Sequence, residues 1–423
     1  MKNTITMNEV KNLVNYVIDR NLKLQEAGKM PIAISLESSA GVGKTSIIQQ
    51  IAEERGMTLT KLNFAELDEP GDLIGYPEIE YECQVCVPVK DANGQIKAKV
   101  LPDTVWANSK QLDNPPVGQK YRHTGNTRMG YAKPAWVPQY NDKGVIVLLD
   151  DYVRASQQLL QSAMELILTQ RYISWSLPKK TTIVLTNNPD DGSNIVNSLD
   201  EAQKTRFMNY EVEWSKEAWT RWAEQSGMNN RCINFVLSFS DEIFEADEQG
   251  NRICNPRSFS MFADMIGGID DWDDADNLQF INTVAKGCFK DESGRFSQMF
   301  TSFLRNKMHL LISPKDMLLG DWSKVKTIIE NTVYDQNGMY RADLATLLER
   351  RFTTYVDIWL DSKENTPISV VKNRLVEFVN ASQGERRLFS PDLFHHMLKN
   401  ITANHKNQTN KLLFEPALAA LLS

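Results

Sequence analysis

The chain has 423 residues, enough for two or three domains that each bury a core. With 42% hydrophobic and 24% charged residues it has the balance of a globular protein rather than a disordered one, and no apolar run approaches the ~20 residues needed to cross a bilayer. A net charge of −7 argues against a broad nucleic-acid surface, which needs clustered Lys and Arg, and leaves open only a local basic groove. Residues 1–4 lead into a polar amphipathic segment without the apolar stretch of an export signal, and the five cysteines are irregularly spaced. Both features suit a reducing compartment, so the expected location is the cytoplasm, with no membrane partner.

Val10, Leu13, Val14, Val17, Ile18 and Leu22 recur at three- and four-residue spacing. They predict a helix that Gly28 can end and Pro31 must break. Residues 31–36 read as a short apolar strand running into a glycine loop, and residues 45–54 as the next helix, closed by Gly56. Further strands are predicted at 59–64, 145–149, 182–186 and 210–214, with an amphipathic helix at 156–169. Strands alternating with helices imply an α/β fold whose mostly parallel sheet is covered on both faces. From Lys216 onward no comparable buried strand is predicted. Residues 279–311 and 322–423 read as amphipathic helices separated by Pro314, Gly320 and Pro367. The acidic run 270–276 reads as a solvated loop, lacking the spaced ligands and central Gly of a calcium loop. His395 and His396 read as helix surface and core, since adjacent residues point apart on a helix.

The glycine loop Ser38-Ser39-Ala40-Gly41-Val42-Gly43-Lys44-Thr45 carries the strongest chemical signal. Phosphate oxygens need several backbone N–H groups converging at a helix N-terminus, and Gly41 and Gly43 let the backbone come that close. Lys44 can place a charge on the outer phosphates, and the Thr45 hydroxyl can ligate magnesium. The candidate nucleotide-binding residues are therefore Ser39, Ala40, Gly41, Val42, Gly43, Lys44, Thr45 and Ser46, with ATP and Mg2+ as ligands. The usual pattern opens with Gly, and Ser38 in its place removes one position's tolerance of positive φ. The second signal is Val145-Ile146-Val147-Leu148-Leu149-Asp150-Asp151, an apolar strand ending in two carboxylates. Its end is expected beside the phosphate loop, with Asp150 holding magnesium through water and Asp151 orienting the attacking water. An acidic helix cap is the plainer reading of Asp151.

The runs Leu148-Leu149-Asp150-Asp151-Tyr152-Val153-Arg154-Ala155, Gln161-Ser162-Ala163-Met164-Glu165, Thr186-Asn187-Asn188-Pro189 and Glu201-Ala202-Gln203-Lys204-Thr205-Arg206-Phe207 follow in order. In order and spacing the chain resembles the MoxR-type AAA+ ATPases over residues 30–265. The resemblance implies a P-loop AAA+ parallel sheet with helices on both faces, followed by an α-helical lid and a helical C-terminal region. It divides the chain into a nucleotide-binding domain at 1–215, with an insertion at about 78–140, a lid at 216–312 and a further helical region at 313–423. It implies a sensor role for Asn188, an arginine-finger role for Arg206, and a second sensor role for Arg257 in Asn255-Pro256-Arg257-Ser258. Plainer readings are a turn at Asn188, a surface cation at Arg206 and a helix-start charge at Arg257. Two departures stand out: Asp151 replaces the family's Glu, shorter by one C–C bond of about 1.5 Å, and Thr205 stands where Asp is usual.

The stretch between Lys44 and Asp150 is longer than one strand and helix require. Residues 81–90 and 95–100 alternate around Asp91-Ala92-Asn93-Gly94, a hairpin signal. Residues 114–116 and 125–130 mark a polar, turn-rich stretch, accompanied by Arg122, Arg128, Tyr131 and Trp136. Those aromatics either grip a polypeptide or anchor a solvent loop. Cys83-Gln84-Val85-Cys86 has the spacing of a metal knuckle but no second pair. The expected function is a homo-oligomeric ring, a hexamer, that uses ATP to remodel a protein client. A nucleic-acid motor or loader is the alternative, disfavoured by the acidic balance, and a nucleotide-binding scaffold that barely hydrolyses is the third.

Overall fold

The structure is a computed structural model that describes residues 4–90, 95–189, 197, 199–245, 252–291, 294–335, 337–361, 368–383 and 386–405. The chain divides into two compact units, Met1–Glu213 and Trp214–Ser423.

The first unit runs β1 (Thr4–Thr6), α1 (Met7–Glu26), β2 (Ala33–Glu37), α2 (Lys44–Arg55), β3 (Thr58–Asn63), α3 (Pro70–Ile74), β4 (Pro77–Lys90), β5 (Ile96–Asn108), α4 (Ser109–Asp113) and β6 (Lys120–Tyr131). It continues through β7 (Val145–Asp150), α5 (Gln157–Thr169), β8 (Arg171–Tyr172), β9 (Trp175–Ser176), β10 (Thr181–Asn187), α6 (Glu201–Lys204) and β11 (Phe207–Glu213). Six strands form one sheet in the order β1-β11-β2-β10-β7-β3, and every neighbouring pair is parallel.

Side chains alternate across a strand, so an all-apolar strand feeds two cores at once. Val145, Val147 and Leu149 of β7 join Leu159, Ala163 and Leu166 of α5 on one face, while Ile146 and Leu148 join Val14 and Ile18 of α1 and Ile48 and Ile51 of α2 on the other. This is the double coverage that the sequence pattern implies. Each such side chain, fully withdrawn from water, contributes about 1.5–3 kcal/mol. The sheet therefore fixes the level at which its strands end. The edge strand β1 is absent from the sequence reading because three residues carry no period. It exists through its ladder with β11, Thr4 opposite Glu211 and Thr6 opposite Glu213.

Between α3 and β7 stands a separate antiparallel sheet of order β5-β4-β6. The hairpin expectation is met by β4 and β5, although the turn at 91–94 lies outside the described residues. Residues 125–130, read from sequence as turn-rich, are instead part of strand β6, with Met129 opposite Ile79 and Arg128 opposite Glu80. Glycine and polar residues mislead here because the strand is solvated and its side chains meet polar partners across the sheet, Arg128 pairing with Glu80 at 2.8 Å and Asn126 donating to Glu82 at 2.8 Å. Cys83 and Cys86, three apart on one continuous strand, point to opposite faces and present no joint thiol pair. Trp136 donates its indole N–H to the Leu73 carbonyl at 2.9 Å, and Trp136 and Tyr131 pack against the first core. For these two aromatics the anchoring reading applies.

In the second unit the described elements are helices: α7 (Lys216–Gln225), α8 (Asn230–Phe244), α9 (Pro256–Ile266), α10 (Ala275–Cys288), α11 (Arg295–Arg305), α12 (Pro314–Leu319), α13 (Trp322–Val333), α14 (Ala342–Asp361), α15 (Ile368–Ala381) and α16 (Pro391–Asn404), with one short turn, Met308–Leu310, besides. Phenylalanines from α8, α9 and α11 build one core, among them Phe235, Phe259, Phe262, Phe296 and Phe300. A second core gathers on α14 around Leu348, Phe352 and Val356. Arg351 is wholly buried and is held by Glu224 at 2.6 Å and Asn234 at 2.7 Å. The acidic run supplies a helix cap, since Asp274 accepts from the backbone N–H groups of Asp276 and Asn277. Among the described residues no helix is long and apolar enough to cross a membrane.

Helix α1 is tied to the sheet by one buried polar side chain. Asn21 donates to the Ile32 carbonyl at 2.9 Å, accepts from the Ile32 N–H at 2.8 Å and reaches the Thr182 hydroxyl at 3.3 Å. Asn21→Ala removes the partner of the Ile32 N–H and carbonyl and is expected to cost about 1 kcal/mol. Urea unfolding followed by circular dichroism should show the midpoint of the first unit's transition falling; an unmoved midpoint would contradict the assignment.

Candidate nucleotide site

The phosphate loop joins β2, in the middle of the sheet, to α2. Gly41 and Gly43 take φ of 85° and 104°, values open to glycine and costly for other residues. Ser38 does not adopt positive φ, so the opening position needs no glycine here. Gly43 caps α2 without a side-chain hydrogen bond, which leaves the helix's first N–H groups facing the loop's concavity. Ser39 is half-buried, and Ala40 and Ser46 are exposed at the rim.

Lys44 begins α2 and is only 9% exposed. Its ammonium donates to the Ser38 carbonyl at 2.7 Å, the Ser38 hydroxyl at 2.9 Å, the Ser39 carbonyl at 3.4 Å and Asn188 Oδ1 at 3.3 Å. The same Asn188 amide donates from Nδ2 to Asp151 Oδ1 at 3.0 Å. One side chain thus bridges the loop's lysine and the second carboxylate. Asn188 follows directly on β10, and β10 lies between β2 and β7. The carboxylate strand is therefore one strand removed from the phosphate-loop strand. Thr45 nevertheless spans that distance: its hydroxyl donates to Asp150 Oδ1 at 3.2 Å.

Asp150 gathers partners from three different elements. Its Oδ1 also accepts from the Thr186 hydroxyl, and its Oδ2 pairs with the Lys61 ammonium at 2.7 Å. Burial pushes the Asp150 carboxyl up, but the Lys61 ammonium and the Thr186 and Thr45 hydroxyls outweigh burial and hold it below the usual carboxylate range. Asp151 has φ 52° and ψ 40°, the left-handed region, and opens the short turn Tyr152–Arg154. Arg154 lies 3.9 Å from its Oδ2.

Lys44, Thr45, Asp150, Asp151 and Asn188 are thus brought together. Arg206 lies instead against α5, its Nη1 3.4 Å from the Met164 carbonyl, with Nε buried and without a hydrogen-bond partner among the described residues. Arg257 belongs to the second unit, exposed on the first turn of α9. Lys61 and Thr186 are missing from the sequence reading. Thr186 lies in the run Thr186-Asn187-Asn188-Pro189 without a distinguishing signal of its own, and Lys61 shows only as a cation interrupting the predicted strand 59–64. Its role depends on strand register: Asn63 sits opposite Asp150, so Lys61 points along the same face two residues earlier.

A parallel sheet of this order, with a glycine loop leaving its central strand and opening a helix, is a P-loop α/β nucleotide-binding fold. The chain matches no known family model and no curated protein. Among solved structures it is similar to a candidate ATPase from Cytophaga hutchinsonii, at 18% identity over 51% of this chain and 51% of that one, with a TM-score of 0.28. It is also similar to a RuvB mutant from Thermotoga maritima, at 12% identity over 62% of each chain (TM-score 0.34). The T. maritima RuvB Holliday junction branch migration motor is matched at 13% identity over 66% of this chain and 71% of that one (TM-score 0.33). The match spans about half of the first of these proteins and less than two thirds of the second. At such identities and overlaps they say nothing of the site, and the fold assignment rests on strand order and loop geometry.

Asp150 ionises below its ordinary value, so its contacts stabilise the fold fully above the unfolded carboxylate's titration near 4 and are lost as pH falls through the lowered folded value. Lys61→Met removes the ammonium, the foremost of the contacts that oppose burial. The Asp150 carboxyl should then titrate at higher pH in a carbon-13 NMR titration, and the variant should unfold in acid at a higher pH than the parent. Coincident acid-unfolding curves would mean that the Lys61 pair is solvated and idle.

Proposed function

We propose that the chain is an ATPase of MoxR-like AAA+ type that hydrolyses ATP with magnesium to remodel a protein partner, working as a homo-oligomeric ring. The observation that carries the ATPase part is the convergence of Lys44, Thr45, Asp150, Asp151 and Asn188 at the ends of β2, β7 and β10 and the start of α2. A loop ammonium, a hydroxyl, two carboxylates and an amide are the groups that phosphoryl transfer to water requires.

In this reading the N–H groups of residues 39–46 cradle the phosphates, and Lys44 turns from Ser38 and Asn188 to the outer phosphate oxygens. The Thr45 hydroxyl and Asp150 carboxylate are hard oxygen donors 3.2 Å apart and fit magnesium, Thr45 directly and Asp150 through water. Magnesium held there supplies positive charge against the outer phosphates. Asp151 orients a water whose oxygen forms the new bond to the γ-phosphorus while the bond to the departing ADP oxygen breaks. The water's proton passes by way of Asp151 to the phosphate products. Asn188, already bonded to Asp151, keeps that carboxylate aimed. Arg206 serves as the finger toward a neighbouring subunit, and Arg257 as a second sensor. The family type rests on the order of sequence motifs, and the protein client on the acidic balance; stimulation of the ATPase by DNA would replace the client with a nucleic acid.

Lys44→Ala should lose ATP binding and turnover, because the ammonium that meets the outer phosphates is gone. Asp151→Asn should keep ATP and lose most hydrolysis. Equilibrium binding and phosphate-release assays decide both, and near-normal turnover in Lys44→Ala would place the site elsewhere.

For Arg206 the decisive measurement is mixing. Arg206→Ala should bind ATP and hydrolyse it slowly, since such fingers are worth about 10³–10⁵ in rate. Combined with Lys44→Ala it should regain activity, because a subunit with an intact loop can then sit beside one with an intact finger. Activity that is independent of protein concentration, with no recovery on mixing, would leave Arg206 as a local cation on α5.

A further inference from the structure

The opening position of the phosphate loop does more than accept a missing glycine. Ser38 is 5% exposed, and its backbone N–H is pinned to the Asn187 carbonyl of β10 at 3.2 Å. Its hydroxyl accepts from Lys44 Nζ at 2.9 Å and donates to the Ser39 carbonyl at 3.1 Å. Its own carbonyl accepts from Lys44 at 2.7 Å. A glycine there would supply the carbonyl alone. The hydroxyl is therefore an additional acceptor, oriented by its donation to Ser39, on the charge that ATP must recruit.

We infer that Ser38 is an affinity-setting residue: its hydroxyl holds the Lys44 ammonium in a resting position that a nucleotide's outer phosphates must displace. The inference rests on the reading of this loop as a nucleotide site. Lys44 cannot keep its contacts to Ser38 and Asn188 unchanged and also meet phosphate oxygens, so every stabilising contact in the resting state subtracts from the affinity for ATP. The backbone carbonyls are common to any residue at position 38. The hydroxyl is the part of this resting contact that the Ser side chain adds, and because the φ at Ser38 does not demand glycine, its removal tests the hydroxyl and not backbone strain.

The effect is confined to ligands that take Lys44. ATP and ADP carry outer phosphates and compete with Ser38 for the ammonium; AMP does not. Removing one hydrogen bond to a charged group, while the two carbonyls remain, should tighten ATP binding about three- to tenfold.

The test is the binding of ATP, ADP and AMP to the full chain and its variants, measured by displacement of a fluorescent N-methylanthraniloyl-ADP. Ser38→Ala and Ser38→Gly should both tighten ATP and ADP by similar factors, Ser38→Thr, which keeps a hydroxyl, should bind them as the parent does, and AMP should bind all four proteins alike. Unchanged or weaker ATP binding in Ser38→Ala overturns the inference, and so does equal tightening of AMP, which would mark a loosened loop. Tightening in Ser38→Gly alone would assign the effect to backbone freedom and overturn it too. If neither the parent nor any Ser38 variant binds nucleotide, the reading of the loop itself falls and the inference falls with it; binding by the parent with no response in Ser38→Ala removes the inference only.

Discussion

The carboxylate of Asp150 is the knot of the first unit. It stands at the end of β7 and takes hydrogen bonds from Thr45 at the start of α2, from Thr186 on β10 and from Lys61 on β3. Three strands and the helix after the phosphate loop are thereby registered against a single charge. Burying a carboxylate is expensive unless it is paired and fully bonded, and here the cost is offset by one ammonium and two hydroxyls. The arrangement requires the strands to end at a common level, which only a parallel sheet covered on both faces supplies. The two cores of the sheet are in this sense the support of the site, since a slip of one residue along β7 would turn Asp150 away from all three partners.

That dependence explains what could be read from the chain and what could not. Strands β2, β7 and β10 and helices α1, α2 and α5 announce themselves because their apolar residues are dense or periodic, and the phosphate loop because glycine, lysine and threonine at fixed offsets have few other uses. Lys61 and Thr186 do not announce themselves. Their importance lies in which residue sits across the ladder, and lateral register is a property of the pairing and not of either strand alone. Strand β1 and the strand through Gly125 to Gly130 are hidden for a related reason. Both lack an apolar period of their own: β1 is only three residues long, and the strand through Gly125 to Gly130 meets its neighbours through polar pairs such as Arg128 with Glu80. Nor did the sequence show that β10 separates the phosphate-loop strand from the carboxylate strand; chain order and strand order differ, and only the folded sheet resolves them.

The placement of β10 between those strands makes Asn188 chemically useful. A residue just past the end of the intervening strand can reach to both sides, and Asn188 does so with opposite ends of one amide, its oxygen toward Lys44 and its nitrogen toward Asp151. An aspartate there would accept from Lys44 but repel Asp151, and a lysine would do the reverse. An amide is the side chain that accepts on one side and donates on the other without adding charge. Lys44 and Asp151 are thus joined through one planar group.

Asp151 itself shows how backbone geometry and side-chain length go together. From sequence, Asp151 is only a carboxylate one bond shorter than the Glu of the resembling family. In the fold, however, Asp151 is in the left-handed region, which redirects its Cα–Cβ bond relative to an extended strand residue. Asp visits that region far more readily than Glu, because its short polar side chain can bond locally; here it accepts from Asn188 and lies near Arg154. A glutamate would recover the missing length only by carrying a longer, less tolerant side chain through the same turn. The shorter residue and the tight turn are therefore one device: the turn decides where the carboxylate points, and the residue type is the one that the turn accepts.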